Sequence, residues 1–256
     1  KTLDDVELLV LDGEASAENQ VAQCESFIAQ GVDCVIMQAY DAAGCMAGVE
    51  ACNEAGIPVF ASKTTVEDMD KVAAYVGRDD FTAGQIEMNH IAEKLGGKGN
   101  IAILEGPAGI SAAILRNDGI KDVLTNYPDI NTLYTQPANW NRDEGMQLME
   151  NWLQMGADID AVVAHNDEMA LGAYDAIVAA GKQDEIPVIG IDAISAAVES
   201  VKAGELCATV LQDGATIGEK SVDVAVMLAK GEEVEKTYDI PYVLLTKDNI
   251  TEYFPD

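Results

Sequence analysis

The sequence has 256 residues, of which 48% are hydrophobic, and its 45 acidic and 15 basic residues give a formal net charge of −30. This length allows one large α/β domain or two modest lobes. No stretch approaches the roughly 20 uninterrupted apolar residues of a membrane-spanning helix. The acidic balance argues against binding to nucleic acid or to anionic lipid, and it is typical of a well-solvated surface.

Short apolar runs alternate with amphipathic helical patterns along the whole chain. The predicted strands are Val6–Leu11, Val32–Gln38, Pro58–Ala61, Ile101–Leu104, Thr132–Thr135, Ala161–Ala164, Pro187–Ile191 and Ala208–Leu211. The predicted helices are Ala17–Ala29, Ala43–Ala55, Thr82–Leu95, Ala112–Asn126, Asp143–Met155, Glu168–Ala180, Ala196–Ala203 and Ile217–Ala229. This repeated change of period predicts doubly wound, mostly parallel sheets, whose ligands bind at the carboxyl ends of the strands.

Residues that favour helix ends support these bounds. Side chains able to cap a helix start are Ser16, Ser111, Asn141, Asn166, Ser195 and Thr216. Glycines stand where helices should end, at Gly31, Gly56, Gly156, Gly181, Gly204 and Gly231.

The two ends of the chain are less regular. The segment KTLDDVE resembles the tail of a helix that runs directly into the strand Val6–Leu11, so we expect the first βα unit of the fold to be missing from this polypeptide. We also expect an export signal to be absent or removed, because no leader pattern starts at Lys1. At the other end, YDIPYVLLTKDN predicts a late strand that Pro241 interrupts.

The five cysteines, Cys24, Cys34, Cys45, Cys52 and Cys207, form no CxxC or metal-type cluster. Each lies in an apolar helical or strand pattern, which predicts buried free thiols. A disulfide between Cys24 and Cys52 on neighbouring helices is the alternative. Asp192 and Asp213 are too isolated in the sequence to indicate a metal site.

Motifs for catalysis are scarce. The chain contains no GxGxxG, no GxxxxGK[ST] and no GxSxG. Of its two histidines, His90 falls on the surface face of a helix pattern, which leaves His165 as the candidate for catalysis. Its neighbours Asn166 and Asp167 are better explained as a helix cap and a ligand hydrogen-bonding group. An enzyme that uses His165 and Asp192 therefore stays an alternative.

The polar residues at strand ends suit a polyhydroxylated ligand. They are Arg116, Trp140, Asn166, Asp192 and Gln212. Planar amide, carboxylate and guanidinium groups can each bind two hydroxyls, while an indole covers the C–H face of a sugar. Alternatively, Trp140 fills the core, Arg116 is a surface charge, and Asp192 is only a cap.

Five stretches resemble ribose-type periplasmic sugar-binding proteins in order and approximate spacing: LEGPAGISAAILRNDGI, QPANWNRDEG, VVAHNDEMALGAYDAI, PVIGIDAISAAVESVKAGELCATVLQD and GEKSVDVAVMLAKGEEV. The resemblance implies two α/β lobes joined by three hinge crossings, with the ligand held between them. It places the N-lobe at residues 1–78 plus 213–240 and the C-lobe at residues 79–212 plus 241–256, with the break near Gly77–Asp80. It also assigns the ligand contacts to the five strand-end residues named above.

The same resemblance implies how the protein works. We expect a monomer outside the cytoplasmic membrane, either periplasmic or lipid-anchored, that delivers a sugar or polyol to an ABC permease without cofactor, metal or catalysis. A sugar or autoinducer sensor of the same fold is the alternative. A repressor effector domain would need a preceding DNA-binding segment, and the net charge disfavours it.

One position departs from the family pattern. Where ribose binders carry an Asp-Arg pair, this chain reads IPVFASKTT, with Lys63 and Thr64. A cation in place of a carboxylate favours a polyol, an inositol or a ligand with an acidic group. Alternatively, Lys63 points to solvent.

Overall fold

The computed structural model describes residues 6–255, which form ten strands, nine α-helices and one short 3-10 helix (Met69–Lys71). In chain order the elements are α1 (Ala17–Gln30), β1 (Val35–Met37), α2 (Met46–Glu54), β2 (Val59–Ser62), β3 (Tyr75–Gly77), α3 (Asp80–Lys94), β4 (Lys98–Glu105), α4 (Ser111–Leu124), β5 (Asp129–Pro137), α5 (Arg142–Gln154), β6 (Ala161–Ala164), α6 (Asp167–Ala179), β7 (Val188–Asp192), α7 (Ser195–Ala203), β8 (Ala208–Leu211), α8 (Gly214–Ala229), β9 (Thr237–Asp239), β10 (Val243–Leu245) and α9 (Ile250–Tyr253). The described residues divide into two compact units: unit 1 comprises 6–78, 109–111 and 214–240, and unit 2 comprises 79–108, 112–213 and 241–255.

Unit 1 is built on a four-stranded sheet with the order β1-β2-β3-β9, in which every pairing is parallel. The sheet is buried on both faces. Helices α1 and α2 pack on one face around Val49 and Val59, and α8 packs on the other around Phe60 and Val224. Strands covered on two sides require apolar residues at successive positions, as in the completely buried β2.

Unit 2 is built on a six-stranded sheet with the order β10-β8-β7-β6-β4-β5. All neighbours are parallel except β10, which runs antiparallel to β8. One face forms a core around Trp152, Met149 and Met169, and the other forms a core around Met88 and Ile91. The predicted doubly wound α/β class is therefore confirmed.

Most predicted strands exist within a few residues of their predicted bounds, but Val6–Leu11 does not pair. These residues belong to no strand. Periodicity can indicate a strand, but a ladder also needs a neighbouring strand, and β1 is bonded on one side only to β2. The helical tail predicted at Lys1–Glu7 lies mostly outside the described residues.

Two further corrections concern short strands. The sequence pattern missed β3, which has only three residues. The tail holds two strands rather than one: β9 joins the sheet of unit 1 and β10 joins that of unit 2, on either side of Pro241. Proline cannot donate to a ladder, so it separates the two strands.

Three of the predicted caps are confirmed. The side chains of Ser16, Asn141 and Asn166 accept backbone N–H groups at the starts of α1, α5 and α6. The predictions for Ser111, Ser195 and Thr216 are wrong, because their helices begin at or before those residues. All six predicted terminal glycines have positive φ, which an L residue rarely adopts.

All five cysteines are free, and Cys24, Cys45 and Cys52 are buried. The Cys24–Cys52 disulfide considered above is thus not formed in this structure. Among residues 6–255, no helix combines the length and apolar character needed to cross a membrane.

Two glycines allow α3 and α4 to pack closely. A Cβ on Gly84 of α3 would lie 2.0 Å from the carbonyl oxygen of Arg116, and a Cβ on Gly119 of α4 would lie 2.1 Å from that of Phe81. Helix backbone atoms cannot move away from an added Cβ as the end of a flexible side chain can.

We expect Gly84→Ala to lower the free energy of unfolding by about 1–3 kcal/mol, because the new methyl group forces α3 and α4 apart. The control is Gly218→Ala in α8, where a Cβ meets nothing within 4 Å. It should raise stability by about 0.5–1 kcal/mol through its helix propensity. Urea denaturation measures both, and equal effects would contradict the packing argument.

Candidate functional site

Polar side chains collect at the carboxyl ends of the parallel strands in unit 2. Asn166 follows β6, Asp192 ends β7, and Gln212 follows β8. These strands are neighbours in the sheet and run in the same direction, so their ends meet at one edge. The Gln212 N–H donates to the Asp192 carbonyl at 3.3 Å and joins two of these strand ends directly.

Arg116 of α4 is the centre of a buried hydrogen-bond network at this edge, with 3% of its surface exposed. Its Nε donates to Asp80 Oδ1 at 2.8 Å, and Nη1 donates to the His165 carbonyl. Its Nη2 donates to the Tyr242 hydroxyl at 3.2 Å. Tyr242 in turn donates to Asp80 at 2.7 Å and accepts from Gln212 Nε2 at 3.2 Å. The guanidinium is therefore held rigidly, and the alternative that Arg116 is a surface charge is wrong.

The charges in this network reinforce one another. Burial disfavours the charged form of Arg116, but the carboxylate of Asp80, which also accepts its hydrogen bond, and the carboxylate of Asp192 outweigh this effect and raise the pKa of the guanidinium. Burial likewise raises the pKa of Tyr242 above its usual value. Arg116 is thus cationic and Tyr242 neutral at any physiological pH.

Trp140 lies in the turn after β5, where it and Asn139 both adopt positive φ values, 61° and 53°. The Arg116 guanidinium lies 5.7 Å from the centre of the Trp140 ring, a cation–π distance. Asn166 Nδ2 donates to the Trp140 carbonyl at 3.4 Å. A Cβ on Gly106 would lie 2.1 Å from the indole, so only glycine allows the ring to rest against that backbone.

Asp192 has the most unusual backbone at the site, with φ of 130°, and Ala193 follows with φ of 56°. The completely buried Asp167 supports this loop, because its carboxylate accepts from the Ile194 N–H at 3.0 Å and from Thr209 Oγ1 at 2.8 Å. Thr209 Oγ1 also accepts from the Ala193 N–H at 3.2 Å. Asp167 therefore holds in place the backbone of the loop that follows Asp192. The sequence analysis predicted instead that Asp167 hydrogen-bonds to a ligand. Non-glycine residues in strained conformations are frequent at functional sites.

The five strand-end residues are thus connected in unit 2, but they differ in exposure. Arg116 and Asn166 are buried, while Trp140, Asp192 and Gln212 are half-buried. Asn166 also caps α6, since its Oδ1 accepts from the Met169 N–H at 3.0 Å.

His165 lies in the core and is completely buried. Burial and the charge of Arg116 lower the pKa of its imidazole to about 3, so the ring is neutral. Its Nδ1 accepts from the Gly106 N–H at 3.4 Å. An inaccessible, neutral ring is poorly placed to act as a general acid or base.

Lys63 belongs to unit 1, at the carboxyl end of β2, and has φ of 66°. Its N–H donates to the Val76 carbonyl at 2.9 Å, and its carbonyl accepts from the Tyr75 hydroxyl at 3.1 Å. Thr64 is buried and donates to the Ala39 carbonyl. The backbone of Lys63 is therefore fixed, and its part in ligand binding stays a prediction.

Two residues of the network were missed in the sequence, Asp80 and Tyr242. A signal for Asp80 was available: two aspartates follow the apolar run that ends at Gly77, and a helix needs only one of them as its cap. Asp79 is that cap. Tyr242 follows Pro241 in the tail and offered no comparable signal. Among the described residues, no three His, Cys, Asp or Glu side chains form a group able to hold a metal ion.

We expect Asp80→Asn to lower the free energy of unfolding by about 3–5 kcal/mol, because it leaves the buried Arg116 charge without its partner. The adjacent Asp79→Asn is the matched control. Asparagine can still accept the cap hydrogen bond, so this change should cost less than about 0.5 kcal/mol. Chemical denaturation of the two variants measures the difference, and similar losses would mean that the Asp80–Arg116 pair contributes little.

The buried Asp167 should make stability depend on pH. Burial raises its pKa from an ordinary 3.8 to about 7, so the folded protein holds a proton that the unfolded chain has lost. The stabilisation is therefore complete below about pH 4 and disappears as the pH rises through 7. Between about pH 5 and 6 the wild type should lose about 1.4 kcal/mol per pH unit more than Asp167→Asn, and this slope should decrease as the pH approaches 7. Denaturation at each pH tests this, with the exposed Asp175→Asn on the same helix expected to follow the wild type.

Comparison with known proteins identifies the family. Residues 1–233 match the model of the periplasmic binding protein domain. The chain is 41% identical over 248 residues to a xylitol-binding protein of Mycolicibacterium smegmatis, covering 96% of this chain and 70% of the relative. It is 36% identical over 242 residues to a ribose import binding protein of Bacillus subtilis, covering 94% and 78%.

A solved structure agrees closely with the fold. It is an ABC transporter solute-binding protein from Bacillus halodurans with bound myo-inositol, and it is 42% identical to this chain. The match has a TM-score of 0.95 and covers 98% of this chain and 87% of the other. The resemblance to ribose-type sugar-binding proteins is confirmed, and the chain belongs to the periplasmic binding protein domain family.

Proposed function

We propose that the protein is the substrate-binding component of an ABC importer and that it binds a sugar or polyol. The observation that carries this proposal is the cluster at the strand ends of unit 2, formed by Arg116, Trp140, Asn166, Asp192 and Gln212. These side chains offer hydrogen-bond donors, acceptors and an aromatic face, and the nearby histidine is buried and neutral. Such a set suits binding without proton transfer.

Each group has a distinct role in this proposal. The Asp192 carboxylate accepts from two adjacent hydroxyls, and the Gln212 and Asn166 amides donate to and accept from others. The Trp140 ring covers the apolar C–H face of the ligand. Arg116 supports the indole and supplies positive charge near Asp192. Because the backbone around Asp192 and Trp140 is fixed before binding, little entropy is lost when the ligand arrives.

Polyols and inositols are the first ligands to test. Two of the relatives described above are a xylitol-binding protein and a protein with bound myo-inositol. Lys63 and Thr64 stand where ribose binders carry an acidic and a basic residue, which favours a ligand other than ribose. The ammonium group of Lys63 donates hydrogen bonds and therefore suits the oxygen atoms of ligand hydroxyls. A carboxylate at this position would instead accept the hydroxyl hydrogens.

The proposed role includes a place and a partner. The protein would act outside the cytoplasmic membrane as a monomer, carry its ligand to a membrane permease, and release it unchanged. The relatives described above include an import binding protein and an ABC transporter component, which favours transport over sensing. Loss of uptake of the identified ligand after deletion of the gene would support transport, whereas unchanged uptake would count against it.

Calorimetric titration against pentoses, hexoses, inositols and acyclic polyols tests the binding itself. We expect saturable, one-to-one binding to one of these classes, a change in Trp140 fluorescence, and quantitative recovery of the ligand. Conversion of the ligand would indicate an enzyme. Absence of binding to all four classes by a folded protein would refute the proposed ligand chemistry.

Asp192→Ala should weaken binding of the identified ligand by about 2 to 5 kcal/mol, because the ligand hydroxyls lose the carboxylate that accepts their hydrogen bonds. This corresponds to roughly 30-fold to several thousand-fold in Kd. Asp184→Ala is the control, since Asp184 is exposed in the loop between α6 and β7. Equal affinity in the wild type and Asp192→Ala would remove Asp192 from the site.

A further inference from the structure

The hydroxyl of Tyr242 makes three hydrogen bonds inside unit 2. It donates its hydrogen to Asp80 Oδ1 at 2.7 Å, and its oxygen accepts from Arg116 Nη2 and from Gln212 Nε2, each at 3.2 Å. A hydroxyl has one hydrogen and two lone pairs, and the three bonds match that capacity. Tyr242 is buried, with 8% of its surface exposed, so this arrangement is shielded from water.

The chemistry of the partners determines the direction of each bond. An arginine side chain can only donate, and an ionised carboxylate can only accept. The Asp80 carboxylate, which also accepts from Arg116 Nε at 2.8 Å, therefore takes the hydrogen of Tyr242. The Tyr242 oxygen is left with its lone pairs, so it can act toward Gln212 only as an acceptor.

This direction determines how the side-chain amide of Gln212 is turned. The amide carries N–H donors on its nitrogen and an acceptor on its oxygen. In the reversed orientation, Oε1 would face the lone pairs of the Tyr242 oxygen with no hydrogen between them. Nitrogen therefore faces Tyr242. Oε1 of the half-buried Gln212 makes no hydrogen bond to the part of the chain that the structure describes, and it is not a buried atom.

Gln212 and Asp192 hold adjacent positions at the carboxyl ends of β8 and β7. The N–H of Gln212 donates to the carbonyl of Asp192 at 3.3 Å, which joins the two residues through their backbones. The side chain of Asp192 is a carboxylate, and the unpaired atom of the Gln212 amide is a carbonyl oxygen. A ligand hydroxyl that meets either oxygen must direct its own hydrogen toward it.

We propose that Tyr242 is a positioning residue that sets the hydrogen-bond polarity of the candidate site, so that Gln212 accepts a hydrogen bond from the ligand. Together with the Asp192 carboxylate, Gln212 then selects ligands in which two neighbouring hydroxyl groups both donate. A group that can only accept, such as fluorine or an ether oxygen, does not replace either hydroxyl. This inference rests on the proposed binding of a sugar or polyol.

Nuclear magnetic resonance of the ligand-free protein tests the orientation of the amide by itself. The side-chain amide resonances of Gln212 are identified by their absence from Gln212→Leu. We expect a strong Overhauser contact between an Nε2 proton of Gln212 and the hydroxyl proton of Tyr242, which exchanges slowly with water because it is buried. Assigned amide protons that lack this contact would show the reversed orientation and would overturn the proposal. The measurement needs no ligand, so it decides even if the proposed function is wrong.

Calorimetry with myo-inositol, xylitol and the monofluorinated analogues of each tests the consequence for binding. The hydroxyl that Gln212 binds is the one whose replacement by fluorine has no further effect in Gln212→Ala. In the wild type this replacement should raise the Kd roughly 10-fold or more, because Oε1 loses its donor. In Tyr242→Phe the amide can turn an N–H toward the fluorine, so the same replacement should raise the Kd about threefold or less.

Tyr134→Phe is the matched control. The Tyr134 ring stacks on Trp152 with 5.2 Å between ring centres, and its hydroxyl has no hydrogen-bond partner within residues 6–255. This variant should keep the discrimination of the wild type. If Tyr242→Phe weakened the binding of the parent polyol and of every analogue by the same factor, Tyr242 would be merely structural and the proposal would be wrong. If neither polyol binds the wild type, the proposed ligand class fails, and the Overhauser measurement still decides the orientation of Gln212.

Discussion

The buried ion pair between Arg116 and Asp80 is the interaction on which the strand-end cluster of unit 2 depends. It joins α3 to α4, and through Tyr242 and the His165 carbonyl it also joins the chain tail and the end of β6. Burying a charge is unfavourable unless its partners are well placed. Here a single cation has three partners from three different parts of the unit, so the cost of burial is offset only when all of them are in position.

Close backbone packing and strained loops make this cluster rigid. Gly84 and Gly119 bring α3 and α4 together, and Gly106 lets the Trp140 ring rest on the backbone. Positive φ values at Trp140 and Asp192 direct their side chains in ways that a relaxed loop would not. Strain of this kind persists only where surrounding contacts enforce it, as Asp167 does for the loop after β7. The stability of this part of unit 2 and the geometry of the candidate site therefore depend on the same residues.

Much of the fold could be predicted from the sequence because its strands and helices have clear periods. The strands β6 and β8 were predicted to the residue, since each is a short apolar run between turn residues. The three-residue strands β3 and β9 are too short for a period to be recognised. Val6–Leu11 shows the opposite case, since its pattern favours a strand but pairing depends on a partner that local sequence cannot supply.

The candidate site was predictable where its residues stand at strand ends, and less so where its contacts join residues far apart in the sequence. Trp140, Asn166, Asp192 and Gln212 end or follow strands, and the parallel sheet of unit 2 brings these positions to one edge. Arg116 lies in the second turn of α4. Tyr242 meets Asp80 across 162 positions of sequence, and nothing in either local pattern indicates the other. Long-range hydrogen bonds of this kind are determined by packing, so a single sequence identifies the candidate ligand-binding groups at strand ends more readily than the groups that hold them in place.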